Sequence, residues 1–337
     1  MDIDLDTFLV ALYTIVDDLY RTHFLPLKPR RPGNSPRLAD SEVLTLAFCA
    51  QAFGPSEREF VGYAYWHWRS YFPKLLSQSQ TNRRIRDLAG VMVHLVPLVA
   101  AQLDSEMAAY EVLDGLPVPL MRRCRGRQHR LFASEADIGK GGADKDFYYG
   151  CQLLLAVKPD GPITGFVLGP ASTNIRWMAD AFLCWRVDPY AKPWGLEDLP
   201  PSNKRTSSNY VGPKGPIWPM EGVGSISGGP YVADDGFGGP VWTDHWAADY
   251  KARVLTCEGY RGEGIEAAKE RHHRWRHVIE TVNGHLEAAF HLLFPLARGR
   301  WGLLARVAAK LVAFNLAILI NRLFGRPDFA VATLFSK

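Results

Sequence analysis

The chain is poor in cysteine, and the few it has follow no pairing pattern. Five (Cys49, Cys124, Cys151, Cys184 and Cys257) are scattered over 337 residues, odd in number and never as Cys-x-x-Cys. That distribution argues against a disulfide framework and a structural zinc site, and it fits a reducing cytoplasm. A basic start followed by an apolar run is also missing. The chain begins Met1-Asp2-Ile3-Asp4, so no secretory signal is expected. Long hydrophobic runs are lacking too. The most apolar stretch, residues 311–320, follows Arg306 and Lys310 and is about half the length of a membrane span. It reads as a buried helix. No internal repeat is evident. With 47% hydrophobic and 22% charged residues, disorder is not the expectation, and the length suits one large domain or two ordinary ones.

An excess of charge of one sign is nearly absent, since the net charge is only +4. The basic residues are nevertheless clustered. Arg122, Arg123, Arg125, Arg127 and Arg130 fall within ten residues, with further groups at Lys28, Arg30, Arg31 and Arg37, at Arg83, Arg84 and Arg86, and from Arg271 to Arg306. Planar guanidinium groups suit phosphate oxygens, so four such clusters tilt the reading toward nucleic acid. Solvated surface faces are the alternative for any one of them.

Helical spacing dominates the first part of the chain. Phe8, Leu9, Leu12, Ile15, Val16 and Leu19 repeat at helical intervals, a second helix follows Asp40 or Ser41, and a third opens at 79–81, carries Arg83, Arg84 and Arg86, and runs on into the apolar residues 91–101. From Ala109 the pattern becomes β-rich. A short strand leads into Asp114, residues 147–157 and 163–168 form a hairpin around Pro159-Asp160-Gly161, and 177–186 is helical. Residues 187–230 hold eight prolines with many glycines and serines, the composition of an insertion. Strands at 231–233 and 253–256, a long helix over 265–293 and a last helix over 303–324 complete the pattern. The expected organisation is an N-terminal helical region over 1–108 as a candidate DNA contact, an α/β core over 109–300 interrupted by the 187–230 insertion, and a C-terminal helix and tail over 301–337.

Three acids could carry chemistry. Asp114 and Asp234 each end a short apolar strand and each is followed by glycine, as Asp114-Gly115 and Asp234-Asp235-Gly236. A strand end holds a carboxylate rigidly while the glycine leaves room for a ligand, although Asp-Gly after a strand is equally what a simple turn uses. On the long helix, Trp275, Val278, Ile279, Val282, Leu286, Ala289 and Leu293 form an apolar stripe. His273, Arg276, Glu280, Asn283 and Glu287 form a polar stripe beside it, which sets Glu280 at its border. The bland reading there is an exposed i,i+4 pair of Arg276 with Glu280. Phosphodiester cleavage puts charge on attacking and leaving oxygens, which divalent ions held by a few carboxylates neutralise without His or Cys ligands.

Several stretches together resemble a known family. They are Leu38-Ala39-Asp40-Ser41-Glu42-Val43-Leu44, Leu113-Asp114-Gly115-Leu116-Pro117-Val118-Pro119, the hairpin from Phe147-Tyr148-Tyr149-Gly150, Ala233-Asp234-Asp235-Gly236-Phe237, and Arg276-x-x-x-Glu280-Thr281. In order and context these resemble the DDE transposases of bacterial insertion sequences, over most of the chain. The Ala-Asp-x-Gly-aromatic pattern selects Asp234 over Asp235. At the family's usual tyrosine and lysine positions stand His273 and Glu287, so phosphate contacts must come from other residues. The resemblance implies an RNase H-like α/β core with a mixed sheet flanked by helices. It further implies Asp114, Asp234 and Glu280 as catalytic residues and ligands of two Mg²⁺ ions, with Mn²⁺ able to substitute, and Arg276 positioning Glu280 or touching phosphate. The expected activity is cleavage at the ends of a mobile element and strand transfer into target DNA by a homodimer. Arg83, Arg84, Arg122, Arg123, Arg125, Arg127 and Arg276 are the candidate DNA contacts. Two alternatives remain open: a DNA-binding protein of transposase ancestry without catalysis, and a carboxylate-based hydrolase.

Overall fold

A computed structural model describes residues 3–28, 33, 36–53, 56–103, 109–121, 132, 135–141, 146–191, 193, 230–260 and 264–334. Most of the proline-rich stretch and Arg122, Arg123, Arg125 and Arg127 lie outside the described residues. The described residues are mixed α/β, with nine helices and a curled mixed sheet of six strands. In chain order the elements are α1 (Leu5–His23), α2 (Asp40–Ala52), α3 (Glu57–His67), α4 (Gln78–Asp87), α5 (Ala89–Gln102), β1 (Glu111–Met121), β2 (Asp137–Gly141), β3 (Asp146–Val157) and β4 (Ile163–Pro170). There follow α6 (Ile175–Val187), β5 (Pro230–Val232), α7 (Pro240–Asp249), β6 (Arg253–Leu255), α8 (Ile265–Ala288) and α9 (Arg300–Leu323). Two compact units form, Met1–Leu103 with His285–Lys337 and Asp104–Gly284, where the sequence suggested divisions near 108 and 300.

The first unit is helical. Asp4 caps α1 by accepting from the Thr7 amide at 2.8 Å, which satisfies one of the amides that a helix start leaves open. Of the expected stripe, Phe8, Leu9, Leu12, Val16 and Leu19 are buried and Ile15 is half-buried. Helix α9 packs on α5 and α2. It is the one described helix long and apolar enough to cross a membrane, but 89% of its most apolar window is buried. It is the core helix of this unit, as its sequence suggested. The single helix expected from residue 79 to 101 is instead two, α4 and α5, bent by 61°. The polar α4 buries only Thr81 and Ile85, whereas α5 is apolar around most of its circumference. The bend at Leu88 lets the first stay at the surface while the second enters the core.

The second unit is built on the sheet, ordered β2-β3-β1-β5-β6, with β4 also pairing β3. β1 is antiparallel to β3 and parallel to β5, and β5 is parallel to β6. β2 pairs the first half of β3 and β4 the second half. The β3–β4 turn closes through Gly161 at φ 110°, which glycine adopts without strain. On one face Leu113, Leu154, Met178, Phe182, Phe237 and Trp246 form a core with α6 and α7. Polar groups knit that core. Asp180, fully buried, accepts from Trp246 Nε1 at 3.2 Å and lies 2.8 Å from His245 Nε2. Arg186 donates to Glu111, to Tyr231 and to Thr164, linking α6 to β1, β5 and β4.

The strand carrying Asp114 does not stop there. β1 continues seven residues beyond it, to Met121, with Asp114 opposite Leu155 and Gly115 opposite Leu154. Asp114-Gly115 is therefore mid-strand, and the strand-end expectation is corrected. β3 crosses β1 so closely at Gly150 that an added Cβ would lie 2.3 Å from the Val118 carbonyl oxygen. Both atoms are tied to backbone, so neither side can yield. Gly150→Ala is expected to destabilise the protein by about 2–3 kcal/mol in urea unfolding; an unchanged midpoint would show that the two strands can part at no cost.

Candidate active site

Asp114 sits in the middle of β1 with its side chain 19% exposed. Its backbone is paired with Leu155 of β3 on one side, while the pairing of β1 with β5 covers only Glu111 and Val112. Its Oδ1 accepts from the Gly115 amide at 2.9 Å and lies 3.7 Å from Arg276 Nη2. Its Oδ2 accepts from Asn283 Nδ2 at 3.4 Å, a long and weak bond. Burial pushes the carboxyl up to about 6; Arg276 and the Gly115 amide oppose this, while the Asp234 and Glu280 carboxylates push in the same direction. Asp234 and Glu280 therefore act electrostatically on Asp114 although each lies more than 100 residues from it in sequence.

Asp234 follows β5 directly. The Ala233 amide continues the β5–β6 pairing onto Leu255 O at 2.9 Å, so the carboxylate is set down at the end of the parallel strands. Its Oδ1 caps a one-turn 3-10 helix, Asp235–Phe237, through the Gly236 amide at 2.9 Å. Asp235 turns elsewhere: it is exposed and accepts from the Glu258 amide at 2.9 Å. The two adjacent acids are thus distinguished by geometry, and only Asp234 is among the charges that act on Asp114.

Helix α8 supplies the third acid. Ile279 and Val282 are buried on its apolar side, and Glu280 is exposed. Arg276 does not make the simple i,i+4 pair with Glu280 but turns to Asp114. The sequence reading placed His273 in the polar stripe; the structure turns His273 outward and His272 inward, fully buried. His272 Nε2 lies 2.9 Å from the Ala233 carbonyl oxygen. Since that carbonyl only accepts, Nε2 carries the proton, and Nδ1 can accept from Tyr260 Oη at 3.3 Å. Burial lowers the His272 pKa, which keeps this neutral form. His272 thereby ties α8 to the residue preceding Asp234. The signal was available: residues 272, 276, 279 and 283 share one face at helical spacing.

Among the candidate DNA contacts, Arg83 is exposed. Arg84 is not free for phosphate, because it donates to Asp40 Oδ1 at 2.6 Å and to Leu38 O at 3.2 Å. Lys28 and Tyr20 also donate to Asp40. Arg84 is a structural clamp of the helical unit.

Among the described residues no three His, Cys, Asp or Glu side chains already form a group able to hold a metal ion. The residues nonetheless suit a hard cation. All three acids offer carboxylate oxygen, and Asn283 Oδ1 is buried with no hydrogen-bond partner. Asp114 also feels repulsion from two like charges, which Arg276 and the Gly115 amide counter. Oxygen donors, excess negative charge and an unmet acceptor are what Mg²⁺-type ions bind. Comparison with protein-family models, with curated proteins and with solved structures finds no match.

A pH dependence follows from Asp114. Its carboxyl holds a proton up to about pH 6 in the folded chain, whereas in an unfolded chain an aspartate releases it near pH 4. The folded state therefore binds the extra proton in that window, and stability falls as pH rises through it. Asp114→Asn removes this loss. The variant is expected to be more stable than the parent at pH 7 by on the order of 3 kcal/mol, a gap closing toward pH 4. Urea midpoints across pH 4–8 check it; parallel curves would mean that Asp114 is not perturbed.

Proposed function

We propose that this chain cleaves and joins DNA strands as a DDE-type transposase, with an RNase H-like core and with Asp114, Asp234 and Glu280 as its catalytic carboxylates. The observation that carries this reading is the electrostatic action of two distant acids on Asp114 of β1, Asp234 from the end of β5 and Glu280 from α8. The mixed sheet, antiparallel on one side of β1 and parallel on the other, is compatible with such a core. In this reading the protein works on DNA in the bacterial cytoplasm, as a dimer that brings two element ends together.

The three carboxylates would hold two Mg²⁺ ions, which Mn²⁺ could replace, with the DNA phosphate completing their shells. When bound, such ions acidify the attacking water or 3′-hydroxyl and neutralise charge on the leaving oxygen. The chain's own residues prepare that site. Arg276 and Asn283 hold the Asp114 carboxylate from opposite oxygens. His272 fixes α8 beside Asp234, so the acids on separate elements keep their spacing without a ligand. Preorganisation of this kind removes the cost of assembling charged groups at the moment of reaction.

The test is a nicking assay on duplex DNA carrying the element's own ends, with Mg²⁺. Single replacement of Asp114, Asp234 or Glu280 by Ala is expected to lower cleavage by at least about 100-fold, several kcal/mol of barrier, with DNA binding retained in a mobility shift. Asp235→Ala is expected to lose less than about tenfold, because its carboxylate is used by the Glu258 amide. Cleavage surviving any of the three replacements would remove that residue from the site.

A further inference from the structure

Helix α8 carries a second set of ligand-type side chains on its outer face. His273 and His277 are both exposed. They stand four residues apart, so they meet on one side of the helix with Cβ atoms about 5–6 Å apart. At about 100° per residue, Glu270, His273, His277 and Glu280 fall within an arc of roughly 80°. The buried residues His272, Ile279 and Val282 lie on the other side.

Both rings are available. The other described histidines of the sheet unit are committed: His272 to the Ala233 carbonyl and Tyr260, and His245 to Asp180 and Asp249. His273 meets the His272 ring edge-on, 6.3 Å between centroids, and the hydrogen bond at His277 is made by its backbone carbonyl with Thr281. Among the described residues neither ring uses a nitrogen in a hydrogen bond or an ion pair. The acids Glu270 and Glu280, three residues to either side, make the arc hospitable to a cation. Arg274 falls outside it, and Lys269 is turned to Glu266 at 3.5 Å.

The ligand type selects the ion. Imidazole nitrogen suits Zn²⁺, Ni²⁺ and Cu²⁺, whereas Mg²⁺ takes hard oxygen. Two histidines one turn apart on a helix can bring both nitrogens to one zinc ion at about 2.0–2.1 Å. Chelation by both rings is what separates such an ion from the water that either ring would hold alone. Among the described residues no third His, Cys, Asp or Glu is placed to complete the shell, so water fills the remaining positions, the open arrangement of an exchangeable site.

We propose that His273 and His277 form a binding site for a Zn²⁺-type ion, held by two imidazole nitrogens and water on the outer face of α8. Its ligand chemistry differs from that of the three acids, and it does not rest on the proposed DNA cleavage.

Calorimetric titration of the full chain with ZnCl₂ tests it, at pH 7.5, where free imidazole is neutral, and with excess Mg²⁺ to occupy oxygen sites. Zn²⁺ is expected to bind, and His273→Gln and His277→Gln each to weaken that binding by at least about tenfold. Both side chains are exposed, so both variants are expected to keep the parent's urea midpoint. Parent affinity retained by either variant would overturn the proposal. Crystals soaked in ZnCl₂ give an independent readout at the zinc absorption edge. An anomalous peak shared by the two rings is expected, and a peak on one ring alone or on the acids alone would overturn the site.

Discussion

A carboxylate placed halfway along a buried strand is the constraint around which the sheet unit is arranged. Removing Asp114 from water disfavours its charged form, and the two nearby acids add to the penalty. Arg276 offsets part of it, but at 3.7 Å the pair is looser than a direct charge-assisted hydrogen bond. The Asn283 contact is longer still than a normal bond for its type. The region is therefore held in a state that a cation would relieve, and the surrounding elements have to withstand the repulsion meanwhile. That demand explains why the acids come from three separate elements, each anchored by its own backbone hydrogen bonds, instead of from one flexible loop.

The anchoring is visible on the other face of the same sheet. Arg186 meets Glu111, Tyr231 and Thr164, and Asp180 meets Trp246 and His245. Buried ionic contacts of this kind add little net stability, because desolvation cancels most of the attraction, but a misregistered strand would leave each charge unpaired. Arg186 touches residues of β1, β4 and β5 at once, so it fixes the register of the strand bearing Asp114 against the one leading to Asp234. His272 does the corresponding work for α8 through Ala233. Register and helix position, set by polar groups, decide where the acids sit; apolar burial by itself would tolerate slippage.

Much of this was readable from residue patterns, and the failures have physical causes. The helical stripes of α1 and α9, the β3–β4 hairpin and the long α8 followed from periodicity alone. Asp234 could be preferred to Asp235 from the local motif; in the structure the first accepts from the Gly236 amide and the second from the Glu258 amide. Gly115 misled, because glycine after aspartate reads as a turn; here it lies where a Cβ would meet Gln152 and Ile175 at 2.8 and 2.9 Å, so its smallness serves packing and the strand runs on. Helices α3 and α7 and strand β2 escaped notice. α3 buries only Phe60 and Ala64, and α7 only Trp246, so neither shows a continuous apolar stripe. His272 and His273 are indistinguishable by type, and only the phase of α8 against Ala233 separates them.

Arginine clusters proved the least discriminating signal, for a reason that lies in the side chain itself. The planar fork that suits phosphate suits a buried carboxylate or carbonyl equally well. Arg84 closes on Asp40 and Leu38, Arg306 on Glu57 and Pro295, and Arg322 on Asp328 and the Leu103 carbonyl, each using the donors a nucleic acid would need. A count of arginines along the chain therefore overstates the charge available at the surface. A carboxylate inside a strand carries more information, since a protein tolerates the desolvation of an acid next to other acids only where the fold around it is strong enough to bear the cost. Two distant acids acting on one such carboxylate are harder to obtain by chance than any basic run, and it is on that asymmetry that the proposal for Asp114, Asp234 and Glu280 rests.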